Sequence, residues 1–137
     1  MEMKPFYQET LTLFKCVEKH DFDTLAALCD DDFGIIDLDT QGKNVVIHDR
    51  EGWENWFHTL FARLSEANAH TYTEIRDYQA LLADSLGYSV VNFDQFLVVQ
   101  GQTLRFNCMV TIIWKKVGEA WKESRWHCSL IKGPGEA

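Results

Sequence analysis

The chain has 137 residues, 46% of them hydrophobic, and a formal charge of −8 at pH 7. That length suits one domain with a substantial core, so a single domain over 1–137 is expected, with residues 132–137 as a loose tail. The acidic balance argues against a nucleic-acid partner, whose phosphates need clustered Lys and Arg, and no apolar run approaches the roughly 20 residues that cross a bilayer.

The start, MEMKPFYQET, lacks signal-peptide organisation, and Cys16, Cys29, Cys108 and Cys128 show no CxxC spacing. Buried, reduced thiols in a soluble cytoplasmic protein are therefore expected.

From Pro5 to Lys19, Phe6, Thr10, Leu13, Phe14 and Val17 fall at helical spacing, with Pro5 suited to a first turn. Asp21 offers an N-cap for a second short helix lined by Phe22, Leu25, Leu28 and Cys29, and Asp30-Asp31-Asp32 is expected to stop it. Phe33 to Leu38 and Asn44 to His48 read as short strands around the turn-rich Asp39 to Lys43. Asp37, Asp39, Gln41 and Gly42 imitate the start of a calcium loop, but His48 stands where the bidentate Glu belongs, so no metal site is assigned.

Asp49 can cap a third helix with the cleanest period in the chain: Trp53, Trp56, Phe57, Leu60, Phe61 and Leu64 form one apolar stripe, expected to be core. Strands over Thr71 to Leu82 and Tyr88 to Val99 follow. The last hairpin, Leu104 to Ile131, turns at Val117-Gly118-Glu119. In its first strand Leu104, Phe106, Cys108, Val110, Ile112 and Trp114 share an apolar face. In its second, strict alternation groups Trp126, Cys128 and Leu130 on one face and Trp121, Glu123, Arg125, His127 and Ser129 on the other.

Three helices against an antiparallel sheet make an α+β layer architecture. If helices cover one sheet face, the other meets water or a second subunit, and its apolar content favours a subunit. A homodimer is expected through Arg105, Met109, Trp121, Arg125 and His127.

The strings HDFDTLAALCD, IIDLDTQGKNVVIH and IIWKKVGEAWKESRWHCS, in this element order, resemble the nuclear-transport-factor-2-like superfamily and its SnoaL-like branch. Within it the chain is most similar to the association domain of calcium/calmodulin-dependent kinase and that domain's free-standing bacterial relatives. The resemblance implies a curved, antiparallel-rich mixed sheet of about six strands, wrapped by the N-terminal helices into a cystatin-like cone with an internal cavity. It also places the kinase domain's carboxylate-binding arginines on Asn92, Ile112 and Cys128. None is Arg here, so a neutral or apolar ligand is expected in place of a small anion.

Enzymes of this superfamily use buried Asp, Tyr and His as acid, base and oxyanion donor. The same placement points Asn92 and Asp94 inward, with Asp37 near the cavity mouth, and these three are the candidate catalytic residues. Tyr7, Trp56, Tyr78, Ile112, Trp126 and Cys128 are the candidate ligand-binding residues. No cofactor is called for.

Three functions stay open at this point. One is an oligomeric domain with a cavity for a small molecule or a role in assembly. The second is a SnoaL-like isomerase, cyclase or hydratase with a cavity Asp as general base. The third is a dimerisation unit whose cone is filled by Trp56, Phe96 and Trp126.

Overall fold

The computed structural model describes residues 4–39 and 41–136. Its frame is the last hairpin, β5 (Gln102–Val117) paired antiparallel with β6 (Ala120–Glu136). Every second side chain of β5 from Phe106 to Trp114 is buried, the face that alternation assigned. β4 (Leu86–Val99) and β3 (His70–Leu82) continue the sheet antiparallel on one side. On the other side, β1 (Cys29–Leu38) joins β6 in parallel and β2 (Asn44–Ile47) closes the edge. The six-stranded order is β2-β1-β6-β5-β4-β3, a mixed α+β sheet with the helices on one face.

The helices are α1 (Tyr7–Lys19), α2 (Phe22–Ala27) and α3 (Arg50–Glu66). Asp21 and Asp49 cap α2 and α3, accepting the Thr24 N–H at 3.3 Å and the Gly52 N–H at 2.8 Å. The α3 stripe buries Trp53, Phe57, Phe61 and Leu64 against the sheet. Among the described residues no helix is long and apolar enough to cross a membrane.

Two expectations about element ends are corrected. Asp30-Asp31-Asp32 does not stop α2: that helix ends at Ala27, and the three aspartates lie inside β1. Two of the charges are met across the sheet, where Lys115 Nζ lies 3.3 Å from Asp30 Oδ2 and Arg125 Nη2 lies 3.4 Å from Asp32 Oδ1. Of the expected tail, residues 132–136 are strand, with Gly135 opposite Arg105 and Glu136 opposite Leu104, and residue 137 lies outside the described residues.

Phe6 anchors the start of α1 to the sheet. Its ring stacks on Trp114 at 5.5 Å and meets Trp121 edge-on at 5.0 Å. This fit depends on Gly87, where a Cβ would lie 2.5 Å from Phe6 Cζ and 2.6 Å from the Leu81 carbonyl oxygen. Overpacking of this kind costs about 1–3 kcal/mol. Gly87→Ala is therefore expected to lower the urea midpoint by that equivalent with an unchanged slope.

Candidate functional site

Between α1, α3 and the inner sheet face lies a cavity of about 150 Å³. Its wall is aromatic and aliphatic, with Phe14, Phe33, Trp53, Trp56, Phe57, Phe93 and Trp126 among the lining residues. The α3 stripe read as core thus also forms part of a ligand-sized wall. Trp56 and Trp126 line this space, while Phe96, named with them as a possible filler, is buried against Tyr72 at 4.6 Å and is not part of the wall. Partly exposed Leu38, Asp39, Trp56 and Leu60 mark where the cavity approaches solvent.

Three acidic residues line this cavity, Asp39 at its partly exposed edge and Asp37 and Glu123 within, and Glu123 was not expected there. Ile113 pairs with Arg125 but Trp114 pairs with Glu123, so Ser124 is an unpaired bulge residue. N-terminal to the bulge, β6 changes face. Glu123 is 2% exposed and lines the cavity, where the Cys29 thiol donates to its Oε1 at 3.4 Å. Burial pushes the Glu123 carboxyl up to about 8; the Cys29 hydrogen bond offsets part of this, and the charge of Asp37 adds to it.

Asp37 enters from β1. Part of the residue meets solvent, but the cavity wall packs round its carboxyl end, and burial raises it to about 6. The Leu38 N–H donates to its Oδ1 at 2.8 Å and works in the opposite direction. The Trp126 indole N–H also favours the ionised form, without closing a full hydrogen bond. Thr71 Oγ1, also in the wall, is likewise buried and unpartnered among the described residues. Contact with the Cys108 thiol, followed by burial, keeps the Cys128 thiol protonated. Among the described residues no three His, Cys, Asp or Glu side chains are grouped to hold a metal ion.

The structure separates the other candidates. Asn92 and Asp94 do not point inward: Phe93, Gln95 and Leu97 of β4 line the cavity, and the residues between them face the open side of the sheet. Asp94 has the cationic partner that a neutral-range base must lack. The Arg76 guanidinium lies 2.6 Å from its Oδ2 and the Asn107 amide donates to Oδ1 at 2.9 Å. Burial acts against the Asp94 carboxylate, but these two partners outweigh it and hold its pKa below the ordinary carboxylate value.

Tyr78 donates its hydroxyl to the Pro5 carbonyl and meets Tyr7 edge-on at 5.0 Å; neither ring lines the cavity. Ile112 is fully buried on the inner face but packs in the core beside the cavity. Trp56, Trp126 and Cys128 do line it. Of the residues expected on the open face, Arg105, Met109, Arg125 and His127 lie there, half-buried or exposed. Trp121 does not: like Glu123 it lies beyond the bulge, and it packs on Phe6.

One signal for this was present in the sequence. Trp121 and Trp126 are five positions apart, so strict alternation leaves one large indole on the open face, and a bulge between them lets both point inward.

With this geometry in place, the comparisons with known proteins agree on the fold. The model of the SnoaL-like domain matches residues 10–132, and the chain belongs to that family. The β subunit of benzoate 1,2-dioxygenase from Burkholderia mallei superposes with a TM-score of 0.77 at 13% identity, covering 95% of this chain and 93% of that one. A type 2 hexachlorocyclohexane dehydrochlorinase gives 0.72 at 13% identity, over 91% and 82%. The association domain of C. elegans CaMKII gives 0.68 at 15% identity, over 89% and 90%. No curated protein matches the chain in sequence. These neighbours share the cystatin-like, nuclear-transport-factor-2-like fold while their names span an oxygenase subunit, a dehydrochlorinase and an association domain.

Both cavity carboxyls bind protons more tightly folded than unfolded, so their contribution to stability is intact below about pH 4 and is lost as pH rises through about 6 and then about 8. Asp39 and Asp94 shift the other way, and their effect is confined to acid pH. Unfolding free energy is therefore expected to fall between about pH 5 and 8. Glu123→Gln, which keeps the shape and removes the charge, should flatten the upper part of that fall and exceed the parent by more than about 1 kcal/mol at the alkaline end. Urea titrations across this range check both.

Proposed function

We propose that the chain is a self-associating domain whose cavity binds a small, largely apolar molecule. The observation that carries this is the aromatic-walled cavity of about 150 Å³. Apolar cavities near that size take a benzene-sized molecule. Trp53, Trp56 and Trp126 in the wall make binding visible by fluorescence. A small neutral aromatic such as benzyl alcohol is expected to perturb that emission saturably, and Leu60→Trp, which fills the cavity edge, to weaken it about tenfold or more. An unsaturable, variant-independent response counts against the cavity.

Self-association is supported by the fold shared with an association domain and by the open sheet face, where Tyr88 is 40% and Met109 38% exposed. Arg105, Met109, Arg125 and His127 are the proposed contacts. Sedimentation at micromolar concentration is expected to show a dimer or larger species, and Met109→Lys to shift it towards monomer. A monomeric parent chain refutes the contact.

A second reading, a proton-transfer enzyme, is favoured by one feature of the same cavity. At neutral pH Asp37, near 6, is mostly ionised while Glu123, near 8, is mostly protonated, so one can accept and the other deliver a proton. The residues in those roles are Asp37 and Glu123, with Asp94 and Asn92 set aside by their position. Such an enzyme has a kcat/KM profile bounded near those two values, and Asp37→Asn removes the acid limb.

A further inference from the structure

We infer that the cavity selects a small molecule carrying a cationic nitrogen on an apolar, aromatic-sized body, with its ammonium paired to the Asp37 carboxylate. This rests on the cavity being a binding site and adds the charge of its ligand.

The lining residues include Asp37, Asp39 and Glu123, and among those described there is no Lys, Arg or His. Asp39 is already engaged: its Oδ1 accepts the Gln41 and Lys43 N–H groups at 2.8 and 2.9 Å in the turn before β2. Glu123 takes the Cys29 thiol at 3.4 Å. Lys43 also stands near Asp39, whereas no cationic side chain faces Asp37 or Glu123, each of which keeps one oxygen, Oδ2 and Oε2, without a hydrogen bond among the described residues; of these two, Asp37 is the one ionised at neutral pH. A carboxylate facing an apolar space without a countercharge is costly, and a cation that enters removes that cost.

The walls suit the same ligand. Trp53, Trp56, Phe93 and Trp126 present aromatic surface to the cavity, and indole faces attract ammonium groups. A carboxylate ligand finds the Trp126 N–H and the Thr71 hydroxyl as donors but no cation, and it faces the Asp37 carboxylate. A neutral one fills the space and leaves Asp37 unpaired.

The raised Asp37 pKa, near 6, agrees with the missing countercharge and sets the pH at which selection is lost. The titratable groups facing it are Asp39 from the turn after its strand, Glu123 and Cys128 from β6 and Cys108 from β5; α1, α3 and β4 contribute only uncharged side chains to the wall. With Glu123 protonated at neutral pH and Asp39 engaged in its turn at the partly exposed edge, Asp37 is the one ionised carboxylate of the enclosed wall, matched by a monocation.

Calorimetry with benzylamine, benzyl alcohol and benzoate on the parent chain and Asp37→Asn tests this. At about pH 7.5 benzylamine is expected to bind the parent about tenfold or more tighter than benzyl alcohol, with benzoate weakest. The preference should disappear at about pH 5, where Asp37 is protonated and benzylamine remains charged. It should disappear again in Asp37→Asn, which keeps its affinity for benzyl alcohol and thereby shows an intact cavity. If that variant does not fold, the pH comparison on the parent decides. Benzyl alcohol binding as well as benzylamine at pH 7.5, or an amine preference surviving at pH 5 or in Asp37→Asn, overturns the charge inference and leaves the cavity standing. Binding by none of the three compounds overturns both.

Discussion

Between Ile113 and Trp114 of β5 the partner strand advances two residues where β5 advances one, so Ser124 has no partner and the β6 side chains before it change face. The chemistry of the cavity follows from that extra residue. Without it Glu123 would stand on the open face beside Arg125 and His127, and Trp121 would leave Phe6. With it, Phe6 closes over Trp114 and Trp121 at one end of the sheet, and a carboxyl group enters an otherwise apolar wall. The Glu123 backbone fixes the arrangement further, its N–H donating to the Leu28 carbonyl at 2.7 Å.

The sheet divides the acidic residues into two chemical kinds. On the open face Asp94 sits with Arg76 and Asn107 and is held ionised. Inside, Asp37 and Glu123 have hydrogen bonds but no cation, and burial pushes both towards the neutral form. Arg76 is itself placed by a bulge, the register slipping between Ile75 and Asp77. Irregularities in two long strands thus separate a stabilising ion pair from a poised pair of carboxyls. Asp37 and Glu123 are groups whose ionisation the fold tolerates at a cost in stability.

Much of the fold was legible because its signals are local and redundant. The α3 stripe, the Asp21 and Asp49 caps and the β5 alternation each point to one structure, and the strings around Trp114 and Trp126 pointed to the SnoaL-like family. The site was less legible for a specific reason. Period-two alternation assigns a strand's faces only while its register is unbroken, and β6 breaks register inside the segment that carries Glu123. For Asn92 and Asp94 the inward face is what the resemblance to the kinase association domain implies, whereas apolar Val91, Phe93 and Leu97 on the alternate positions mark the inner face. Phe33, Ile35 and Asp37 share one face of β1 and all three line the cavity.

The placement of Glu123 is tested most directly by carbon-13 NMR titration of the glutamate side-chain carboxyls, with Glu123→Gln used to assign the resonance. A carboxyl inside the cavity predicts that this signal stays in its protonated position through neutral pH and titrates near 8, with a smaller inflection where Asp37 ionises near 6. Titration at the ordinary glutamate value of about 4.3 would place Glu123 in solvent and contradict the bulge-directed arrangement of the site.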